Sequence, residues 1–324
     1  MLGFADEIWD HKIEPKEGFQ PKSFKTYNLT PEEKKQTRCL FKGQPLMATL
    51  FFFVKKKDGK LWPCQDYCYL NEWMIKNTYP LPLISEIMDK IKDRKYFTKL
   101  DIWWGYNNVR IKEGDEWKAA FKMNWGLFEP MVMFFGMCNS PAMFQAMMDE
   151  IFKDMIKEGI VIIYMDNMFL SAKTKECLQE NTRRVLQQLM ENDLYLKPKK
   201  CEFCKEKVKW LGMVIQEGKI SIDPGKLKGI QEWPAPTTVK QVWGFLGFGN
   251  FYKRFIRGFS EIARPLNDLL KKDRKFEWTT NCESAFDDLK RRFTSEPILI
   301  MPDQTKPFQI KCDALKYASG AVLT

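Results

Sequence analysis

A chain of 324 residues, 44% hydrophobic and 14% aromatic, has enough apolar surface for two domains with their own cores, which excludes wholesale disorder. Its net charge of +10 suits a polyanionic partner such as nucleic acid, and residues 197–296 carry most of it, with 21 Lys+Arg against 13 Asp+Glu. The longest apolar runs, 48–54 and 160–165, are too short to cross a bilayer; no secretion leader opens the chain, and nine scattered cysteines fit a reducing compartment.

Residues 1–29 have no clear period and read as an irregular N-terminal linker. Thr30-Pro31 with Glu33 forms a helix start: an N-cap hydroxyl, proline at the first helical position, and an acid that closes the capping box. Residues 50–67 read as a basic hairpin with an Asp58-Gly59 turn. Helical amphipathic spacing follows over 83–94. Residues 96–112 read as a strand, a turn and a short helix, and 116–135 as a further hairpin region. One helix is expected over 140–156, with Ser140 as cap and Pro141 at its first position.

In "IVIIYMDNMFLS" (160–171), two apolar runs flank Asp166-Asn167, a pair suited to the positive φ of a tight turn. A helix is expected near 174–192, then a hairpin over 208–222 that turns at Glu217-Gly218. From Asp223 the pattern is helical and basic, and 308–315 and 318–324 are strand-like. Phe248, Phe251, Tyr252, Phe255 and Phe259 recur at helical spacing as a core stripe, which leaves Lys253, Arg254 and Arg257 for phosphate contacts.

Asp101 leaves a strand and Asp166 sits on a hairpin tip, so the two carboxylates meet if those elements lie side by side. Two acidic groups with water hold Mg²⁺, and two such ions about 4 Å apart serve a phosphoryl displacement. Read alone, the pair is more simply a turn aspartate and a helix-start aspartate.

The residues themselves carry more. "YFTKLDIWWGYNNVRIKEGDEWKAAF" (96–121), "FGMCNSPAMFQ" (135–145), "YMDN" (164–167), "LYLKPKKCEF" (194–203) and "LGMVI" (211–215) stand in order. Together they resemble the reverse transcriptase of gypsy-type LTR retrotransposons, particularly those of fungal genomes. Residues 55–85 and 245–266 extend the likeness into fingers and thumb, and 306–324 resembles the opening of the tethered RNase H module.

The resemblance implies an α/β right-hand polymerase fold with an α+β palm. Fingers and palm would span 30–218, a helical thumb 219–296 and a truncated RNase H-like start 297–324. It implies RNA-directed DNA synthesis from dNTPs on an RNA or DNA template with primer, two Mg²⁺ ions with Mn²⁺ as the alternative, no membrane, and an intracellular place, cytoplasmic or nuclear. It assigns no oligomeric state. Asp101 and Asp166 would bind metal, with Asn167 where the family has a second tip aspartate. Lys56 and Trp62 would stand at the incoming triphosphate, and Tyr106 would screen the sugar 2′-OH. Phe135, Gly136 and Gln145 would flank the nascent base pair. Leu211 and Gly212 would steady the primer end, and Lys253, Arg254 and Arg257 would meet phosphates.

The departures share a pattern. Trp62, Cys68, Trp103 and Trp125 replace arginines, Met143 a threonine, Leu315 a serine and Asn167 an aspartate, each reachable by one C→T or G→A transition. Decay of the gene by cytosine deamination accounts for all of them. The expectation is a polymerase impaired in this copy; the alternative is a catalytically inactive nucleic-acid-binding remnant.

Overall fold

The computed structural model describes residues 9–24, 46–55, 59, 61–82, 90–91, 93–123, 126–253, 256, 258–271, 275–295, 298–300, 310–315 and 318–323. The helix start at Thr30 and most of the helix expected over 83–94 lie outside the described residues, as do Lys56, Trp125, Arg254, Phe255 and Arg257. The chain divides into two compact units, Met1–Ile91 with Phe97–Cys204, and Lys92–Tyr96 with Lys205–Thr324.

The first unit contains β1 (Thr49–Lys55), β2 (Leu61–Gln65), α1 (Cys68–Trp73), β3 (Tyr96–Asp101), β4 (Phe121–Met123), β5 (Gly126–Phe128), α2 (Ser140–Ile151), α3 (Lys153–Lys157), β6 (Val161–Tyr164), β7 (Asn167–Ala172), α4 (Lys175–Glu191) and β8 (Glu202–Lys205). They form two four-stranded sheets, ordered β2-β1-β4-β5 and β6-β7-β3-β8. The basic hairpin is β1 with β2, antiparallel, and Trp62 lies opposite Val54 in it. Phe51 stacks on Phe121 at 5.2 Å, and Phe121 on Phe128 at 5.8 Å, so aromatic rings cement the first sheet.

In the second sheet, Val161–Ile163 and Met168–Leu170 are all buried, because a continuous apolar run belongs to strands covered on both faces. Helix α4 packs against β7. It starts at Thr174, whose hydroxyl accepts the Cys177 N–H at 3.3 Å, and buries Leu178, Val185 and Leu189 along one stripe.

Two local expectations need correcting. The hairpin turns at Met165-Asp166, since Tyr164 faces Asn167 and Asn167 already belongs to β7. Met165 carries the positive φ, 53°. The helix expected over 140–156 breaks at Phe152, and Asn139, not Ser140, precedes its first turn. The Asn139 side chain is engaged elsewhere, accepting from Asn77 N–H and donating to Ile75 O. Ser140 Oγ donates to Phe134 O.

Residues 9–24 of the irregular N-terminal stretch form a strap, tied by backbone bonds to three places. His11 N–H donates to Arg110 O at 2.7 Å, Lys16 N–H to Trp73 O at 2.7 Å, and Phe24 N–H to Ala48 O at 3.0 Å. Arg110 clasps Asp10 through two bonds of 2.9 and 2.7 Å.

In the second unit β9 (Lys207–Trp210), β10 (Met213–Gln216), β11 (Lys219–Ile222) and β12 (Ile298–Ile300) form an antiparallel sheet. Gln216 faces Lys219, which puts the turn at Glu217-Gly218 as the sequence predicts. Among the described residues the helices after β11 are α5 (Pro224–Gln231), α6 (Val239–Tyr252), α7 (Phe259–Ile262), α8 (Arg264–Asp268) and α9 (Thr280–Ser295). Their core includes Phe245 against Phe286 at 4.6 Å. Of the expected stripe, Tyr252 and Phe259 are buried, Phe248 is partly buried and Phe251 is exposed. The strand pair β13 (Ile310–Leu315) and β14 (Ala318–Leu323) corresponds to the two strand-like pieces.

Candidate active site

Asp101 ends β3 with its side chain almost fully buried, and the backbone around it is bonded on both sides. Ile102 N–H donates to Asp166 O at 2.9 Å, Lys197 N–H to Asp101 O at 2.9 Å, and Trp103 N–H to Tyr195 O at 2.7 Å. The strand exit is thereby fixed between the hairpin tip and the 195–197 segment, and this brings the two aspartates to one place.

Gly105 makes the approach possible. It has φ 28°, and a β-carbon added there would lie 3.3 Å from Cβ of Asp166. Asn108, buried beneath this turn, donates to Trp103 O and Gly105 O, both at 3.0 Å. The opposing turn is held at Met165. Its N–H donates to Gln145 Oε1 at 2.8 Å, and its sulfur accepts the Tyr106 hydroxyl at 3.3 Å.

Both carboxylates have partners. Lys200 Nζ donates to Asp101 Oδ2 at 2.8 Å, and the Asn167 amide donates to Asp166 Oδ1 at 2.8 Å. Burial pushes the Asp166 carboxyl up, the Asp101 charge adds to the effect, and Lys200 opposes it. The Tyr106 phenol is pushed up to about 12 by burial and then by the Asp166 charge, so it stays neutral and keeps its proton for Met165.

Asp101 and Asp166 line a cavity of about 470 Å³ together with Trp103, Trp104, Phe135, Lys197 and Lys200. Tyr106 packs behind this wall, its ring centroid 4.7 Å from that of Phe135. Gln145 is fully buried beneath it, bonded to Met165, Ile163 and Asp149, so it holds the hairpin instead of facing the cavity. Gly136 has φ 108° and accepts from the Asn71 amide at 2.7 Å. The backbone of Trp62 lies in β2; its side chain, like Lys56, lies outside the described residues.

In the second unit, Leu211-Gly212 is the two-residue turn between β9 and β10, with φ of 46° and 78°. The carbonyl of Gly212 accepts from the Tyr252 hydroxyl at 3.0 Å. Lys253 is exposed just beyond α6, and Arg254 and Arg257 lie outside the described residues.

Sequence reasoning gave no role to Lys200, Asn108 or Met165. The run Lys197-Pro198-Lys199-Lys200 was a signal for the first, since a proline-fixed turn presents its lysines at a defined place. For Met165 there was none.

Two carboxylates on one cavity are hard oxygen donors and suit Mg²⁺. Among the described residues no three His, Cys, Asp or Glu side chains gather at one point, so water and substrate phosphate would complete the coordination. No described helix is long and apolar enough to cross a membrane.

Comparison with known proteins gives a consistent result. Residues 54–215 match the family model "Reverse transcriptase (RNA-dependent DNA polymerase)", and 278–324 match "RNase H-like domain found in reverse transcriptase". The Tf2-7 and Tf2-3 transposon polyproteins of Schizosaccharomyces pombe are each 36% identical over 282 residues, 87% of this chain and 21% of the relative. The chain thus spans about a fifth of the length of these curated relatives. A foamy viral protease–reverse transcriptase in complex with dsDNA superposes with a TM-score of 0.81 at 22% identity, covering 100% of this chain and 70% of that one. The same kind of protein in complex with an RNA/DNA hybrid gives 0.78 at 22% identity, covering 97% and 44%. The fold is that of these enzymes, as the sequence resemblance implies.

Proposed function

The chain belongs to the reverse transcriptase (RNA-dependent DNA polymerase) family, and on that premise we propose that Asp101 and Asp166 are the metal-binding carboxylates of a template-directed DNA polymerase, impaired in this copy at Asn167. The family depends on divalent metal. The observation that carries the reading is the convergence of two carboxylates, remote in sequence, on one cavity through the Ile102–Asp166 backbone bond.

The reaction is attack of a primer 3′-OH on the α-phosphate of a dNTP, with loss of pyrophosphate, on an RNA or DNA template. Mg²⁺, when bound, supplies positive charge to the attacking and leaving oxygens. Asp101 and Asp166 hold that charge in place. Tyr106, backed by Phe135, crowds a ribose 2′-OH. Lys56 meets the triphosphate as a point charge. Leu211 and Gly212 steady the primer end, while Lys253, Arg254 and Arg257 meet backbone phosphates without reading bases. Residues 30–218 serve as fingers and palm, 219–296 as thumb, and 297–324 as the start of an RNase H-like domain. The working place is intracellular, cytoplasmic or nuclear.

A second reading, a nucleic-acid-binding remnant without catalysis, draws on the same site. Asn167 brings no charge to the hairpin tip, and Lys200 occupies an oxygen of Asp101. Primer extension by the purified chain separates the two. Weak extension that rises in Asn167→Asp, and disappears when Asp166→Asn is added to that variant, supports the polymerase. Silence of Asn167→Asp in an intact fold, with primer–template still bound, supports the remnant.

A further inference from the structure

The strap of residues 9–24 precedes the matched span 54–215, yet it is bonded into the first unit at three separate ties. At the first, His11 pairs with Ile111, and Asp10 holds Arg110 through two bonds of 2.9 and 2.7 Å. Ile13, fully buried there, donates its N–H to Asp115 Oδ2 at 2.8 Å. At the second, Pro15 pairs with Met74, Ile75 N–H donates to Glu14 O at 2.9 Å, and Lys16 Nζ donates to Glu72 O at 2.8 Å. At the third, Ser23 pairs with Ala48; Ala48 N–H donates to Lys22 O at 3.2 Å, and Phe24 N–H to Ala48 O at 3.0 Å.

Each tied segment leads to the cavity lining in one further step. Arg110 pairs with Val132, while Ile111 N–H donates to Met131 O at 2.8 Å and Met133 N–H to Val109 O at 2.9 Å. Asn71, in α1 with Glu72 and Trp73, donates to Gly136 O at 2.7 Å and accepts from Cys138 N–H at 2.8 Å. Ala48 runs straight into β1, whose Phe53 and Lys55 pair with Pro63 and Leu61 of β2. Leu61, Pro63, Val132, Phe134 and Phe135 line the cavity; no residue of the strap does. Most strap side chains are exposed, so the strap adds little to the core. Its bonds are directional and fix separations that apolar packing alone leaves free to slide.

We propose that residues 9–24 are an external clamp that sets the spacing of β2 from the 132–135 segment. Asp10, Ile13 and Phe24 are then positioning residues for the nucleotide that the cavity takes. The nature of that occupant rests on the polymerase reading; the clamp does not.

The test is hydrogen–deuterium exchange on the full chain without nucleotide, joined to single-nucleotide incorporation kinetics in an Asn167→Asp background. Asp10→Ala/Ile13→Ala cuts the first tie, and Phe24→Pro removes the N–H donor of the third. Each raises amide exchange about threefold or more at the far end of the clamp: the first variant at 61–65, the second at 131–133. Exchange at 161–163 and 168–170 stays at the parent rate. In both variants KM for dNTP rises about fivefold to tenfold while kcat falls less than twofold. Where circular dichroism shows the double variant unfolded, Asp10→Ala alone reports for that end. Exchange that rises only beside the cut tie overturns the clamp, and so does a uniform rise that includes 161–170, the mark of a general stabiliser. Unchanged KM in variants with far-end exchange overturns the positioning role. If Asn167→Asp incorporates nothing, the polymerase reading fails and the exchange pattern alone decides the clamp.

Discussion

The side-chain amide of Asn167 donates to Oδ1 of Asp166 at 2.8 Å, so a neutral donor stands where a second charge would have to share the hairpin tip. In Asn167→Asp that donor becomes a carboxylate. Without metal the two like charges should lower stability by about 1 kcal/mol. Mg²⁺ should then raise the melting temperature of the variant more than that of the parent. Thermal denaturation over a Mg²⁺ titration checks this, and equal shifts in both proteins would contradict it.

Lys200 neutralises the buried Asp101 at 2.8 Å while its own side chain is half exposed. Lys200→Met should cost about 1 kcal/mol in EDTA, less than a fully buried pair would, because water screens the ammonium. Urea unfolding should show the loss, and Mg²⁺ should restore most of it by replacing the lost positive charge.

His11 is the chain's one histidine, almost fully buried, and neither ring nitrogen has a hydrogen-bond partner among the described residues. Burial lowers its pKa from 6.5 to about 4, against a smaller opposing pull from Asp115. Between those values the unfolded chain binds the proton and the folded chain does not. Stability should therefore fall as pH drops from about 6.5 towards 4, by roughly 3 kcal/mol at most. In His11→Phe this part of the pH dependence should vanish, as unfolding curves at pH 7 and pH 4.5 would show.

Tyr106 is wedged between Phe135 at 4.7 Å and Phe144 at 5.8 Å. In an Asn167→Asp background, Tyr106→Ala should raise ribonucleotide use relative to deoxynucleotide use at least tenfold, about 1.4 kcal/mol of discrimination. Tyr106→Phe keeps the ring and should keep the selection. Single-nucleotide incorporation kinetics with dNTP and rNTP decide the matter.

Gly212 has φ 78°, and a β-carbon there would stand 2.7 Å from the Tyr252 hydroxyl, which also donates to the Gly212 carbonyl. Gly212→Ala should destabilise the second unit by about 1–3 kcal/mol, through the left-handed backbone and the displaced tyrosine. Gly218 has a positive φ as well, 62°, but open space around it, so Gly218→Ala should cost less. Denaturant midpoints of the two variants rank them.

What the sequence determined by itself was local. The apolar runs 161–163 and 168–170, the Glu217-Gly218 turn, the helix near 174–192 and the two closing strands follow from periodicity and turn chemistry, which act between near neighbours. Ordered motifs also singled out Asp101 and Asp166, and the fold places both on one cavity.

The tertiary structure decided the rest, because those choices depend on residues far apart in the chain. Gln145 reads as a contact for a base pair, and only the fold shows that its amide oxygen accepts from Met165 N–H, 20 residues on, while its amide nitrogen donates to Asp149 and Ile163 O. Asn139 and not Ser140 precedes α2, because the asparagine also bonds residues 75 and 77. The turn moved from Asp166-Asn167 to Met165-Asp166 once strand pairing set the register. Residues 9–24 have no period because they pack as a single strap on three separate segments, so neighbours from elsewhere in the chain supply the order that their own spacing lacks.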